Sequence, residues 1–419
     1  MSGRLLLLAL VVTLLLAACE PGSEPADPLP PDQYLDNALS WLEAHSVNTD
    51  QVDWERVRQE AQAMAAGAQE TADTYPAIEY ALAQLDDPLA FMLRPGEVEE
   101  PVRLGFMAVY PENVIIRVFK NGPAEAAGIQ VGDRLEALNG EPPQADSYWQ
   151  WLVKHPEDLT ADQEVQLTLR RGEQLRPVTL TPAVGEVENR AASHRLTVGD
   201  SAVGYLDLPN DSGSKLYPTW AQEALRAVDG PDVCGWIIDL RRNVSGDLWS
   251  YLAALSPFLN EGELGGFAYT DGAREMWTLR DDKIWWAEEE RFESYVRGPV
   301  YRLEQPVAPV AFLISPLTQA APELVVVAFE SRGNYRVFGE PSRGVPNLLL
   351  NTSFSDGALT VISGARGMDV HDRVYTGPIM PDEMVETDWQ RIDRAGDPTA
   401  DAPTAAALTW LAEQSACGS

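Results

Sequence analysis

Four regimes of hydrophobic patterning follow one another along the chain. Behind Arg4, residues 5–16 form an apolar run interrupted only by Thr13. From about Tyr34 to Leu85 the apolar positions recur at helical spacing, at Leu39 and Leu42 and later at Ile78, Leu82 and Leu85. Asp53-Trp54 opens a charged, alanine-rich helix there, and Asp86-Asp87-Pro88 is a turn signal that ends the module. From Val102 to about Pro182 the period shortens: residues 114–118 read as a strand, and residues 165–169 alternate with period two. From about Ala202 onward, strands alternate with helices. The strands are expected at 201–208, 235–240, 307–314 and 335–339, and the helices at 219–228, 248–259 and 323–331. Strands apolar on both faces, joined by helices, predict βαβ units and a mainly parallel sheet, with reactive groups at the carboxyl ends of the strands. The fold class expected is therefore multidomain α/β. A leader (1–19) and an acidic, proline-rich tether (20–32) precede an N-terminal helical module (33–95), a small β-rich barrel (100–183) and an αβ core (184–419).

Composition narrows the classes of function. The net charge of −33, with lysine only at 120, 154, 215 and 283, repels phosphate backbones and argues against nucleic acid as a partner. An apolar fraction of 45% argues for a folded body. Arg4, the apolar run and Leu16-Ala17-Ala18-Cys19 have the order of a secretory signal, and the run is short for a spanning helix. The tetrapeptide resembles a bacterial lipobox. That resemblance implies an exported chain acylated on Cys19 and anchored to the bilayer of the cell envelope. The remaining cysteines, Cys234 and Cys417, are expected to pair in an oxidising compartment, the alternative being two unlinked thiols. His45, His155 and His194 have no ligand-spaced neighbours and no glycine-rich phosphate loop occurs, so neither metal nor cofactor is expected.

Two resemblances carry the functional expectation. Gly122-Pro123-Ala124-Glu125-Ala126-Ala127-Gly128-Ile129, then Val131-Gly132-Asp133 and Leu138-Asn139-Gly140, resemble a PDZ domain. Leu104-Gly105-Phe106 stands where such domains capture a peptide's terminal carboxylate in a backbone nest, implying peptides or protein C-termini as partners. Val52-Asp53-Trp54, Tyr75-Pro76-Ala77-Ile78, the run 235–241, the run 314–323 and the run 373–379 together resemble the tail-specific, or C-terminal processing, serine peptidases over essentially the whole mature chain.

The residues that the resemblance makes catalytic are missing. The family's nucleophile lies in Thr-x-Ser-x-x-Glu on the turn from strand to helix, and here Thr318-Gln319-Ala320-Ala321-Pro322-Glu323 places Ala320 in that serine's position. Relatives with a histidine base carry Gly-Asp-x-His-Ser, whereas Asp86-Asp87-Pro88-Leu89-Ala90 puts Leu89 and Ala90 at the histidine and serine. Relatives with a lysine base carry it soon after a Gly-Glu turn, and residues 339–345 contain no lysine. Ser245 replaces a glycine of the pair near the expected oxyanion hole. A hydroxyl needs a base to attack. Thr318, Ser315 and His371 are the candidate substitutes. Three readings follow: a catalytically impaired homologue that binds peptides, a serine-type endopeptidase with an unrecognised nucleophile, or a structural envelope protein whose PDZ domain is only packed.

Overall fold

A computed structural model describes residues 29–95, 102–109, 113–143, 163–184, 190–210, 214–244, 246–287, 289–290, 296–389 and 401–417. Cys19 and Ser245 lie outside the described residues.

The helical module is built as the apolar spacing requires. Helix α1 (Pro31–His45) buries Tyr34, Leu35, Ala38, Leu39 and Leu42 along one stripe. It begins at Pro31, inside the span expected for the tether, because proline suits a first helical turn. Helix α2 (Trp54–Met64) is capped by Asp53, whose carboxylate accepts the Arg56 N–H at 3.1 Å. Helix α3 (Tyr75–Ala83) completes the bundle. The last piece of the module is a strand of the core: β1 (Phe91–Leu93) pairs antiparallel with residues 359–361.

The PDZ-like unit comprises β2 (Val102–Arg103), β3 (Phe106–Val109), β4 (Val114–Val118), α4 (Pro123–Ala126), β5 (Arg134–Leu138), β6 (Val165–Arg171), β7 (Gln174–Leu180) and β8 (Ala183–Val184). Its sheet runs β3-β4-β5-β6-β7, and β2 and β8 close a ribbon where the chain enters and leaves.

The core contains β9 (Ala192–Val198), β10 (Ser201–Asp207), α5 (Tyr217–Val228), β11 (Val233–Asp239), α6 (Leu248–Leu255), β12 (Gly262–Ala268), β13 (Arg274–Arg280), β14 (Lys283–Trp286), β15 (Glu289–Glu290), β16 (Val310–Ile314), α7 (Ala321–Ala328), β17 (Tyr335–Gly339), β18 (Asn347–Ser353), β19 (Leu359–Met368), β20 (Glu383–Met384) and α8 (Ala402–Ala412). The expected parallel sheet is present, in the order β20-β17-β16-β11-β10-β9, with β9 antiparallel at the edge. Because that order is sequential, the crossovers lay α5, α6 and α7 on one face, packed with Leu206, Ile238 and Phe312. Helix α8 covers the other face against Tyr205, Ile237 and Leu313.

A second sheet, antiparallel throughout and ordered β1-β19-β12-β13-β14-β15 with β18 also on β19, packs Phe267, Trp277, Leu279 and Ile284 onto the helical face. The patterning points to the parallel sheet alone. The hairpins of the second sheet are local, but that sheet is assembled by β19 pairing with β12 and β1, which lie about 100 and 270 positions away and which no local period reports. Strand β16 also begins three residues later than expected, after Pro309, leaving Val307 80% exposed.

The tail is held at two points on this sheet. Cys234 on β11 is disulfide-bonded to Cys417, with their Cα atoms 5.0 Å apart. Asp401 caps α8 and accepts Arg241 at 2.7 Å, and Arg241 in turn forks onto Asp239. All three charges are buried, which is tolerable only because they pair.

Candidate functional site at the strand-to-helix elbow

β16 ends in Ser315, and the chain turns sharply into α7 at Ala320. Ala320 has φ 57° and ψ −116°, a conformation an L-residue adopts at a cost of about 1–3 kcal/mol and one that marks strained functional turns. It is buried, and three contacts impose its geometry. Its N–H donates to Glu323 Oε2 at 2.8 Å, its carbonyl accepts Leu324 N at 3.2 Å, and the Thr318 carbonyl accepts Arg343 N at 2.9 Å. The alanine methyl offers no cap and no attacking atom, so the cap is supplied backwards by Glu323.

Glu323 is the hub of the site. Fully buried, it accepts Ser342 Oγ and Gly344 N (2.8 Å) on Oε1, and Ala320 N (2.8 Å) and Val345 N (3.1 Å) on Oε2. Burial pushes its carboxyl up, and the hydrogen bonds from Ser342 and the three backbone N–H groups pull the other way without fully offsetting it. Ser342 is itself locked, since its hydroxyl accepts Ile379 N at 2.7 Å. Val345 is thus the residue of the 339–345 run whose backbone shares a carboxylate oxygen with Ala320.

The candidate substitutes are not assembled into a reactive set. The Ser315 hydroxyl donates to the Arg241 carbonyl at 2.7 Å, and the Thr318 hydroxyl donates to the Leu240 carbonyl at 2.9 Å. Both residues are completely buried. These bonds splice the elbow loop to the carboxyl end of β11, which is a structural use of both hydroxyls. His371 is exposed on the loop after β19, where its backbone N–H, and not its ring, meets Asp369.

Beside the elbow, the loop after β11 is equally well held. Asn243 Nδ2 donates to the Leu208 and Pro209 carbonyls, Asn243 Oδ1 accepts Tyr251 OH at 2.9 Å, and Val244 N donates to Asn210 Oδ1 at 2.8 Å. Gly246 has φ 141°, and a Cβ there would lie 2.2 Å from the Tyr251 oxygen, so only glycine fits.

Leu89 and Ala90 follow a turn held by Asp86 and Asp87. Asp86 turns the chain with a positive φ of 49°. The Asp87 carboxylate takes Leu89 N at 3.0 Å and the Ser363 N–H and hydroxyl on β19. Leu89 and Ala90 are thus carried on a turn that the Asp87 carboxylate ties to β19.

The PDZ-like unit is bonded to this end of the core. Val114 and Ile116 of β4 pack with Leu317 of the elbow loop and with Trp389. Arg117 donates to Asp207 Oδ1 and Oδ2 at 3.0 and 3.2 Å, and Arg242 reaches Asp207 at 2.8 Å from the other side. Leu104 and Phe106 point into the unit's own core. Gly105 has φ 84°, and a Cβ there would come within 2.9 Å of Pro123 Cδ, so this loop presents backbone rather than side chains. Among the described residues β3 is the end strand of its sheet and pairs with β4. Sequence reading missed the Glu323 hub and the Asp207 clamp. The capping glutamate of the motif was the available signal for the first, and the second joins residues 90 positions apart with none.

Comparison with known proteins accords with this architecture. A peptidase family S41 model matches residues 202–385, and a PDZ domain model matches residues 114–160. The chain is 23% identical to carboxyl-terminal-processing peptidase 2, chloroplastic, of Arabidopsis thaliana over 78% of its own length, and spans 64% of that protein. It is 26% identical to the carboxyl-terminal-processing protease of a Synechocystis strain, over 75% of this chain and 71% of that one. Among solved structures, the photosystem II D1 C-terminal processing protease aligns at TM-score 0.58 and 20% identity, covering 85% of this chain and 94% of the other. A lipoprotein from Streptococcus agalactiae aligns at TM-score 0.53 and 12% identity, covering 92% and 96%. An S41 peptidase-family core over residues 202–385, joined to a PDZ domain bonded to the carboxyl end of its parallel sheet, gives this chain an architecture similar to that of the C-terminal processing peptidases.

Proposed function

We propose that this chain is an exported, lipid-anchored family member that has lost peptide-bond hydrolysis and keeps peptide recognition. The observation that carries the reading is Ala320, which holds the strained backbone of a nucleophile elbow with no nucleophile on it. Two further features support it. The hydroxyls of Ser315 and Thr318 are spent on backbone carbonyls, and the 339–345 run, whose Val345 N–H shares Glu323 Oε2 with Ala320 N, carries no lysine. Capture of C-termini is assigned to the loop at Leu104, Gly105 and Phe106 together with β3, the end strand of its sheet. Anchoring rests on Cys19.

The test is proteolysis of an unstructured protein by the purified chain, with labelling by a serine-directed phosphonate. The wild type is expected to show neither. Groups that act as a unit recover little singly, so Ala320→Ser alone should stay close to inactive and the pair Ala320→Ser, Val345→Lys is the variant in which turnover should return. Wild-type cleavage that survives Ala320→Gly and disappears in Thr318→Val would overturn the reading and assign the reaction to a threonine.

A further inference from the structure

The segment that wraps Glu323 has one side chain that leaves the protein. Ser342 and Val345 are buried and Gly344 has none, whereas Arg343 is exposed. Its position is not adjustable. The Arg343 N–H donates to the Thr318 carbonyl at 2.9 Å, and Gly344, at φ 93°, presses on Pro378 so closely that a Cβ would come within 2.8 Å of that ring. The Arg343 backbone is therefore held at the rim of the elbow, and its exposed side chain extends into solvent from that point.

Its lack of a partner is the informative part. Arg117, Arg241 and Arg242 near this end of the sheet all pair with carboxylates. Among the described residues no ion pair, side-chain hydrogen bond or aromatic ring engages Arg343. That occurs in a chain with 64 acidic and 31 basic residues, where a carboxylate neighbour is easily found. A surface of this sign repels an approaching carboxylate, so a site that takes an anionic ligand needs a local cation to reverse the field. An arginine is suited to that task, because its planar fork meets a carboxylate through two parallel N–H bonds.

We infer that Arg343 is a specificity-determining residue that binds a carboxylate of the peptide lying across the elbow, so that the preferred ligands are acidic near this point. The inference rests on the peptide-binding reading above and names the ligand class. The carboxylate has two possible sources, an Asp or Glu side chain and the peptide's own C-terminus, and the same interaction serves both.

The experiment measures fluorescence anisotropy of the full extracytoplasmic chain with labelled dodecapeptides. Each has an apolar last residue, a free or amidated terminus, and Glu or Gln scanned through the preceding six positions. At one position the wild type should prefer Glu over Gln by about twofold to fivefold, the range for an exposed charge pair. Added salt should weaken that preference. Arg343→Gln should abolish the preference while leaving the Gln peptide's affinity unchanged, and Arg343→Lys should keep part of it. If amidation, and not Glu-to-Gln exchange, removes the Arg343-dependent share, the terminal carboxylate is the source and the inference stands. A preference that persists in Arg343→Gln, equal loss for all peptides, or wild-type binding indifferent to charge overturns the inference alone. A wild type that binds none of the peptides overturns the peptide-binding reading, and this inference with it.

Discussion

Replacing Glu323 by glutamine probes the elbow most directly, because the two side chains share a shape and differ in what they can accept. The wild-type carboxylate takes four donors, two on each oxygen. A glutamine offers one oxygen, and its amide NH2 must face the other two donors. If the NH2 faces Ala320 N and Val345 N, both are orphaned. If it faces Ser342 and Gly344, the serine hydroxyl can rotate and accept, and only Gly344 N is lost. The second orientation is the cheaper one. It leaves one buried N–H unsatisfied, at about 1–3 kcal/mol, and turns charge-assisted bonds into neutral ones. Removing a charge that burial disfavours offsets part of this, so a net loss of about 2 kcal/mol is expected for Glu323→Gln. Glu323→Ala orphans three backbone donors and should cost more, about 3–5 kcal/mol. For a core of this size that corresponds to a fall in Tm of roughly 4–8 °C for glutamine and more for alanine. Since the folded protein holds the Glu323 proton more tightly than the unfolded chain does, the wild type should gain on Glu323→Gln as pH falls towards about 4.3 and lose that gain as pH rises. Differential scanning fluorimetry between pH 7 and 4.5, with circular dichroism for the fold, gives the answer. A Glu323→Gln protein that melts with the wild type, and a Glu323→Ala protein no worse, would refute the hub.

Three further outcomes follow from other parts of the structure. Burial pushes the Asp356 carboxyl up, but hydrogen bonds from Tyr75, Ala358 N and Tyr34 outweigh it and hold the group below the ordinary range. Its contribution is therefore present above the unfolded value near about 3.9 and lost as pH falls through the lower folded value, so Asp356→Asn should flatten the acid limb of a melting-against-pH curve. Cys417→Ser opens a link across 183 residues and should cost about 2–5 kcal/mol, while non-reducing peptide mapping of the wild type should recover the 234–417 pair; two alkylatable thiols would count against it. Arg117→Ala leaves Asp207 paired with Arg242 and should cost about 1–3 kcal/mol, with faster hydrogen exchange confined to 114–118 and 316–318; Asp207→Ala removes the carboxylate shared by two buried guanidinium groups and should cost more, about 3–5 kcal/mol.

Much of the architecture was legible in order and period. Strands such as β11, buried along its whole length, and helices such as α1, with its single apolar stripe, announce themselves because each responds to its neighbours within a few residues. The absent nucleophile was legible for a related reason: Thr318 to Glu323 is a contiguous motif, and an alanine in it is visible without coordinates. What Ala320 is doing there was not. Its left-handed backbone, the four donors on Glu323 and the commitment of the Ser315 and Thr318 hydroxyls to the end of β11 all depend on chain segments that meet only in three dimensions. The β12–β19 pairing that assembles the second sheet and the Arg117–Asp207 arm of the clamp likewise join segments 90 or more residues apart. Local patterning is set by which face of an element must leave water, and the sequence determines that residue by residue. Which buried polar group satisfies which other is set by the packing of whole elements, and that only the tertiary structure decides.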